Sequence, residues 1–263
     1  MMVRFTGASL FAWMLCSADL AEASCGLDQC PSDWVLKANS STTLTSMTRL
    51  TQSALGTYLE EFVGVRTQLP WGLRGGLAAP LLYVTQLDAS YAGLGNLVAV
   101  LDYSPKALSQ VGLALGLQAE LPSASAPQLG DGHVVLLPYA RGWWKRGAWD
   151  ARGQFGWGVV AEGGHHHHDH DHGAADAVSI VNPHTQSELL MRGSAGFEAI
   201  AEFTLRLGLD AVLELDGAEQ LYAGTVAIER SWTQLSVGLV GELPLTERRR
   251  HDFRGRLIID WRL

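Results

Sequence analysis

The stretch FTLRLGLDAVLEL, residues Phe203 to Leu215, alternates in polarity along its whole length. Every odd-numbered position carries Phe, Leu or Ala, whereas five of the six positions between them carry small, polar or charged side chains. Successive side chains of a β-strand point to opposite faces of the sheet. A period of two over this length therefore predicts a long strand with one apolar face and one face that is mainly polar or small.

The same alternation recurs in VGLALGLQAEL (111–121), LSVGLVGEL (235–243) and RLIIDWRL (256–263). Strands of soluble proteins are usually about five or six residues long, whereas a tilted membrane-spanning strand needs about nine to eleven. No segment after residue 23 approaches the roughly 20 apolar residues of a spanning helix. We therefore predict an all-β fold, a transmembrane antiparallel up-and-down β-barrel of about 12 strands, within a range of about 10 to 14.

Turn signals divide the chain into a series of expected strands. Their approximate ranges are 42–52, 57–69, 73–86, 91–103, 109–121, 133–142, 149–161, 187–197, 200–215, 220–229, 232–243 and 252–263. The connections on one side, including a turn at 143–145, are short, whereas the other side receives the longest connection, 162–186. Short periplasmic turns and long outer loops are typical of barrels in the outer membrane of Gram-negative bacteria. We expect this location, with outer-membrane lipid around the barrel.

Aromatic residues crowd the segment PYARGWWKRGAWDARGQFGWG (138–158), where arginine and lysine are interleaved with them. Basic residues at this density are unusual in a buried core. We interpret these aromatics as part of the interfacial girdle that flanks the apolar band of a membrane barrel. They are Tyr139, Trp143, Trp144, Trp149, Phe155 and Trp157.

The beginning of the chain has the pattern of a signal peptide, over residues 1–23, with a basic residue, an apolar run and small residues before the expected cleavage site. A hydrophobic N-terminal helix of a soluble protein is the alternative. Residues 24–40 would form a periplasmic N-terminal segment before the barrel, 41–263. In an oxidising compartment Cys25 and Cys30 are expected to form a local disulfide, with free or metal-binding thiols as the alternative.

The segment EGGHHHHDHDHG, residues 162–173, places six histidines and two aspartates in eight consecutive positions. Imidazole and carboxylate groups suit zinc, copper or nickel at neutral pH. We expect this surface segment to capture divalent transition metals, with a solvated low-complexity loop and a pH-sensitive gate as alternatives. The candidate ligands are His165, His166, His167, His168, Asp169, His170, Asp171, His172 and His184.

Charged residues on the non-apolar faces of the expected strands are candidates for lining the lumen. They are Glu120, Arg206, Asp210, Glu214, Asp260 and Arg262. Their mixed signs indicate a wet channel or a polar plug rather than a strong anion or cation filter.

The formal net charge of −8 gives no support for nucleic-acid binding, which needs a basic face. We expect no required cofactor and no catalytic residues. A barrel that hydrolyses lipid is the residual enzymatic alternative, because such an enzyme needs a Ser–His pair near the membrane edge and His133 lies beside an expected strand.

The run LGLQAELPSASAPQLGDGHVVLLPY resembles a family of outer-membrane transporters grouped with the meta-cleavage pathway of phenol degradation. Those proteins often show a glycine-alternating strand that ends in Leu-Pro, then a polar loop, then Gly-Asp and another strand. The matching positions here are Leu121-Pro122 and Gly130-Asp131. The closing run RRRHDFRGRLIIDWRL is similar to their final strand, and the resemblance covers roughly residues 56–263. It implies a barrel of transporter-like type and assigns neither a substrate nor catalytic residues.

These observations together predict an outer-membrane pore or transporter-like barrel for a small solute, with a surface His/Asp loop that binds metal. Two alternatives stay open. One is a structural or adhesive outer-membrane barrel with a filled lumen, and the other is a secreted soluble all-β protein.

Overall fold

The computed structural model describes residues 42–54, 56–86, 89–105, 110–130, 132–161, 187–200, 202–215, 220–247 and 251–263. The expected signal peptide, the 24–40 segment with Cys25 and Cys30, and the His-rich connection 162–186 lie outside the described residues. Within the described ranges, no helix is long and apolar enough to cross a membrane.

Long antiparallel strands make up most of the described residues. They are β1 (Thr42–Ser53), β2 (Gly56–Gln68), β3 (Leu73–Gln86), β4 (Ala89–Leu94), β5 (Leu97–Tyr103), β6 (Val111–Leu121), β7 (Val134–Arg146), β8 (Trp149–Ala161), β9 (Ser187–Ile200), β10 (Phe203–Glu214), β11 (Gln220–Ser231), β12 (Leu235–Pro244) and β13 (Phe253–Arg262). Two short 3-10 turns connect strands: Pro70–Gly72 lies between β2 and β3, and Pro127–Leu129 lies between β6 and β7.

The sheet closes on itself, because β1 pairs with β13 as well as with β2. Both β4 and β5 pair with β3, so they are two parts of one barrel strand. The described residues therefore form a closed 12-strand antiparallel barrel, which confirms the predicted fold class. We call the end where β1 begins and β13 ends the terminal rim, and the opposite end the far rim.

Two arginines face each other at the seam between β1 and β13. Arg49 and Arg256 are directly opposite in register, and both side chains are buried in the interior. Each contacts a carboxylate on the strand behind it: Arg49 forms an ion pair with Glu60 on β2, and Arg256 Nη2 lies 3.0 Å from Glu242 Oε2 on β12. Like charges directly opposite in a sheet are destabilising, so these two glutamates offset a repulsion at the closure.

Alternation decides which side chains face inward. In β10, Arg206 and Asp210 are buried, whereas Leu205, Leu207 and Leu209 are between 47% and 59% exposed on the outer surface. An apolar exterior around an interior that holds charged side chains is the reverse of a soluble protein. It is the pattern of barrels that lie in a bilayer.

The fourth barrel strand, predicted as one run over 91–103, is interrupted at Gly95 and Asn96. Pro80 on β3 lies opposite the break and has no backbone N–H to offer the ladder, although its carbonyl accepts a hydrogen bond from Gly95 N at 2.9 Å. The register shifts by one residue between β3–β5 and β3–β4, as at a β-bulge. The strand therefore splits into β4 and β5.

The turn predicted at 143–145 is displaced towards the C-terminus. β7 continues to Arg146, and the hairpin loop consists of Gly147 and Ala148. Gly147 has a φ of 62°, which glycine adopts without steric cost, and so the two-residue loop forms here.

The aromatic residues of segment 138–158, which the sequence analysis assigned to one interfacial girdle, fall into two groups because β7 continues to Arg146. Tyr139 is buried inside the barrel, and the Trp143 ring lies over the interior face of Gly112. Trp144 and Trp149 remain outside, 40% and 56% exposed. Other exposed aromatics near the terminal rim are Trp71, Tyr103, Phe197, Trp232 and Trp261.

Candidate functional site

The interior of the barrel holds the predicted lumen-lining residues, but they belong to separate clusters. Four are buried and at most 7% exposed, namely Glu120, Arg206, Asp210 and Asp260. Glu214 is half-buried at the end of β10, near the far rim. Arg262 is half-buried at the terminal rim, where its guanidinium donates to the carbonyl oxygens of Trp232 and Thr233, each at 3.1 Å.

A cluster with equal numbers of positive and negative side chains joins β8, β10 and β11. It lies in the half of the barrel nearer the terminal rim, which we call the terminal half; the other half is the far half. Arg206 Nη1 donates to Asp150 Oδ1 at 2.6 Å, and Arg206 Nε donates to Glu229 Oε1 at 2.9 Å. Arg152 Nε lies 3.4 Å from Asp150 Oδ1. Two guanidinium groups therefore face two carboxylates, which satisfies the requirement that buried charges be paired.

A second cluster in the same half joins β2, β3, β5 and β7 around Asp102. Arg66 donates to Asp102 Oδ2, Arg74 Nε donates to Asp102 Oδ1 at 2.9 Å, and Arg141 Nη2 lies 3.2 Å from Asp102 Oδ2. The Arg141 guanidinium also lies over the Tyr139 ring, 5.5 Å from its centroid. All four charged side chains are buried, and three of them are cationic.

A third cluster lies in the far half around Glu242. Arg254 Nη1 lies 3.3 Å from Glu242 Oε1, and Arg256 contacts the other oxygen. His251, which is 6% exposed, places Nε2 3.0 Å from Glu242 Oε1 and Nδ1 3.3 Å from Arg254 Nη2. Both ring nitrogens of His251 are therefore occupied by charged neighbours.

Apolar side chains also pack together inside the barrel, and we call this cluster the apolar layer. It consists of the buried residues Met47, Phe62, Ala78, Val98, Val100, Leu137, Tyr139, Ala227, Val240 and Ile258. Phe62 is 0% exposed and Met47 is 1% exposed, so little room for water remains beside them. The interior is consequently narrow at this level.

The connection between β6 and β7 folds into the opening of the barrel at the far rim, which we call the far mouth. Leu129 is 1% exposed and packs against Tyr58, Leu82 and Val84, whose side chains face the interior. Because an apolar residue of the connection is buried among interior side chains, this segment narrows the opening at the far rim.

Asn96, at the break between β4 and β5, fastens the same connection. Its Nδ2 donates to Glu120 Oε1 at 2.8 Å, and its Oδ1 accepts from Ala124 N at 3.2 Å. Ser125 N donates to Leu94 O at 2.9 Å. The break thus provides the polar groups that hold the connection against the barrel wall.

The predicted metal ligands from His165 to His172, and His184, lie outside the described residues. The connection that contains them leaves β8 and enters β9 at the far rim. His133, the candidate histidine for a hydrolase, is exposed just before β7. The described residues contain no group of three or more His, Cys, Asp or Glu side chains placed to hold a metal ion.

Sequence reasoning missed the cluster around Asp102. In LVAVLDY both faces of β5 are apolar except for this residue, so polarity does not reveal which way Asp102 points. Arg141 lies in the segment whose aromatic residues were assigned to an interfacial girdle, and it received no role of its own. A usable signal was the run of small interior residues on β6, Gly112, Ala114 and Gly116, over which long side chains of β7 can lie.

The fold is similar to those of solved outer-membrane channels. An outer membrane channel from Pseudomonas putida F1 aligns with a TM-score of 0.66 at 11% identity, over 88% of this chain and 98% of that one. The KdgM porin aligns with a TM-score of 0.55 at 10% identity, over 84% and 99% of the two chains. The NanC porin gives a TM-score of 0.54 at 9% identity, over 84% and 100%.

No protein-family model and no curated protein sequence matches the chain. At identities near one residue in ten, the property shared with the channels is the barrel fold. The chain thus has the architecture of an outer-membrane channel barrel, with charged clusters in both halves of its interior.

Proposed function

We propose that this chain is a narrow outer-membrane channel of a Gram-negative bacterium, of the transporter-like type grouped with the meta-cleavage pathway of phenol degradation. The observation that carries the proposal is the inverted distribution of side chains. Buried arginines and carboxylates face inward, whereas leucines such as Leu205 and Leu239 are exposed outward. A bilayer accommodates that exterior, and the interior provides polar groups for a solute.

A small solute is the proposed cargo. The solved KdgM porin in complex with disordered oligogalacturonate is an example of a similar barrel that holds a ligand. The apolar layer around Phe62 and the buried Leu129 narrow the interior, which favours a small solute over an oligomer.

A structural barrel with a filled lumen is the second candidate. The low exposure of the interior side chains, from 0% at Phe62 to 7% at Val100 within the apolar layer, favours it. Electrical conductance separates the two candidates, because a filled lumen passes no current and a channel does.

The experiment is a single-channel recording of the refolded chain in planar lipid bilayers. We expect discrete openings, and a larger conductance in Phe62→Ala, because removing the ring widens the apolar layer. The matched control is Leu59→Ala on the same strand, since Leu59 is 44% exposed on the outer surface. A silent wild type that stays silent in Phe62→Ala would support the structural barrel.

We also propose that the His/Asp segment of residues 162–186 binds zinc, nickel or copper near the far rim. The proposal rests on the density of imidazole and carboxylate groups between β8 and β9. Calorimetry with each metal would compare the wild type, a deletion of 163–173, and a variant of equal length with asparagine in place of the six histidines from His165 to His172. Binding that survives in both variants would refute the proposed site.

We propose that the chain is a channel rather than an enzyme. The similar structures described above are named as porins or a channel. A phospholipase assay on the wild type and His133→Ala tests the alternative directly, because loss of a measurable hydrolytic activity in the variant would favour a lipid hydrolase.

A further inference from the structure

The cluster around Asp102 carries more positive than negative charge. Arg74 and Arg141 both contact the single carboxylate of Asp102, which Arg66 also contacts, so the two guanidinium groups of Arg74 and Arg141 exceed their shared carboxylate by one positive charge. Each of the four is at most 7% exposed. A buried charge is costly unless an opposite charge accompanies it. The balanced cluster around Arg206, at a similar depth in the barrel, has no such excess.

One of these arginines, Arg141, has hydrogen-bonding capacity that the described residues do not use. Nε and Nη1 of Arg141 are buried and have no hydrogen-bond partner among the described residues, whereas Nη2 of Arg74 lies 2.9 Å from Asp102 Oδ1. A guanidinium presents its N–H groups as a planar fork that matches the two oxygens of a carboxylate or the oxygens of a phosphate. The unused donors and the charge excess therefore indicate the same class of ligand.

The position of Arg141 explains why its Nε and Nη1 groups remain available to a ligand. Asp102 is on β5 and Arg141 on β7, so the guanidinium extends over the interior face of β6. Gly116 on β6 carries no side chain, and the Tyr139 ring lies in its place, with Cζ 2.4 Å from where a Cβ would stand. The Arg141 guanidinium is held between this ring and Asp102 rather than by a dedicated carboxylate.

We propose that Arg141, with the cationic Arg74 on the same carboxylate beside it, forms a binding site for a small oxyanion, the carboxylate or phosphate group of a solute, in the terminal half of the interior. This inference rests on the proposed function and deepens it, because it assigns a ligand class to the interior through which the solute would pass. Asp102 tunes the site by offsetting part of the cationic charge.

Equilibrium dialysis of the refolded full chain in detergent, at low ionic strength, tests the site. The probes are radiolabelled acetate and radiolabelled inorganic phosphate, each with chloride as competitor. Arg141→Gln lowers the excess charge by one and removes the unused donors, so we expect its affinity to fall about tenfold. Asp102→Asn raises the excess by one, and we expect its affinity to rise severalfold.

The control is Lys145→Gln, which removes a cation from the same strand at an exposed position, where 57% of the lysine side chain is accessible. Its affinity should match the wild type. Opposite shifts in Arg141→Gln and Asp102→Asn cannot arise from misfolding, which would weaken both variants. Wild-type protein that binds neither acetate nor phosphate, or whose binding chloride abolishes at equal concentration, overturns the inference by leaving an adventitious ion only.

Bilayer conductance on the same samples keeps this inference separate from the proposed function. Oxyanion binding without conductance would preserve the site and refute the channel. Conductance without oxyanion binding would refute the site and preserve the channel.

Discussion

Arg206 on β10 binds Asp150 on β8 across the strand that lies between them. Nη1 and Nη2 of Arg206 lie 2.6 and 3.1 Å from the two carboxylate oxygens of Asp150. The residue beneath this bridge is Gly196 of β9, which is in register with both partners. The glycine lets the Arg206 guanidinium reach across β9 and join β10 to β8, in a bidentate geometry that is among the stronger ion pairs.

The first prediction concerns the space above Gly196. A Cβ at this position would lie 2.7 Å from Asp150 Oδ2 and 3.0 Å from Arg206 Nη2. We expect Gly196→Ala to lower the free energy of unfolding by about 1 to 3 kcal/mol, because the ion pair must shift. Urea unfolding in lipid vesicles, followed by tryptophan fluorescence, measures this value.

Gly193→Ala on the same strand is the matched control. No heavy atom lies within 4 Å of its ideal Cβ, so the alanine should be tolerated without loss of stability. Equal losses in the two variants would mean that the strand rejects any side chain, and that the bridge over Gly196 is unimportant.

The second prediction concerns the stability of the cluster around Asp102. Asp102→Asn leaves three buried guanidinium groups without their shared carboxylate, and we expect a loss of about 3 to 5 kcal/mol in the free energy of unfolding at low salt. Glu198→Gln breaks an exposed pair with Lys145, at 3.4 Å, and should cost no more than about 1 kcal/mol. A small effect of Asp102→Asn would contradict the pairing geometry around this carboxylate.

The third prediction concerns the connection at the far mouth. Leu129→Ala removes a side chain that is 1% exposed. We expect the free-energy difference between the packed and the detached connection to fall by about 2 to 5 kcal/mol. Limited proteolysis should then cleave the connection 122–130 faster than in the wild type. Leu94→Ala, at a side chain that is 45% exposed on β4, is the control. Unchanged cleavage in Leu129→Ala would show that the hydrogen bonds to Asn96 and Leu94 are sufficient to hold the segment.

The fourth prediction separates structural from metal-binding histidines. His251 has both ring nitrogens beside charged partners, Glu242 and Arg254, so His251→Ala should leave the calorimetric metal affinity unchanged. It should lower the free energy of unfolding by about 1 to 3 kcal/mol, because it strips a buried contact from Glu242. A drop in metal affinity equal to that of the 163–173 deletion would make His251 a ligand and refute this assignment.

The sequence was sufficient to predict the barrel because the signal is local. Alternation over residues such as Leu205, Arg206 and Leu207 defines both the strand and the face that turns inward. Twelve strands and their approximate positions follow from repeated alternation and turn residues. The break at Gly95 was missed because it depends on Pro80, which is on the neighbouring strand.

The interior clusters could not be predicted in the same way, because they depend on register between distant strands. Arg206 and Asp150 meet only if β9 places a glycine between them. Arg141 and Asp102 meet across β6 in the same manner, and the apolar surroundings of Asp102 in the sequence conceal its inward direction. Polarity patterns give the face of a residue, whereas its partner depends on three-dimensional pairing.

The opposed arginines at the seam have a consequence for the order of assembly. Arg49 and Arg256 can approach each other only when Glu60 and Glu242 already neutralise them, and those carboxylates are on β2 and β12. The hairpins β1–β2 and β12–β13 must therefore form before the first and last strands meet. Ring closure is thus expected to be the last step in the assembly of this barrel.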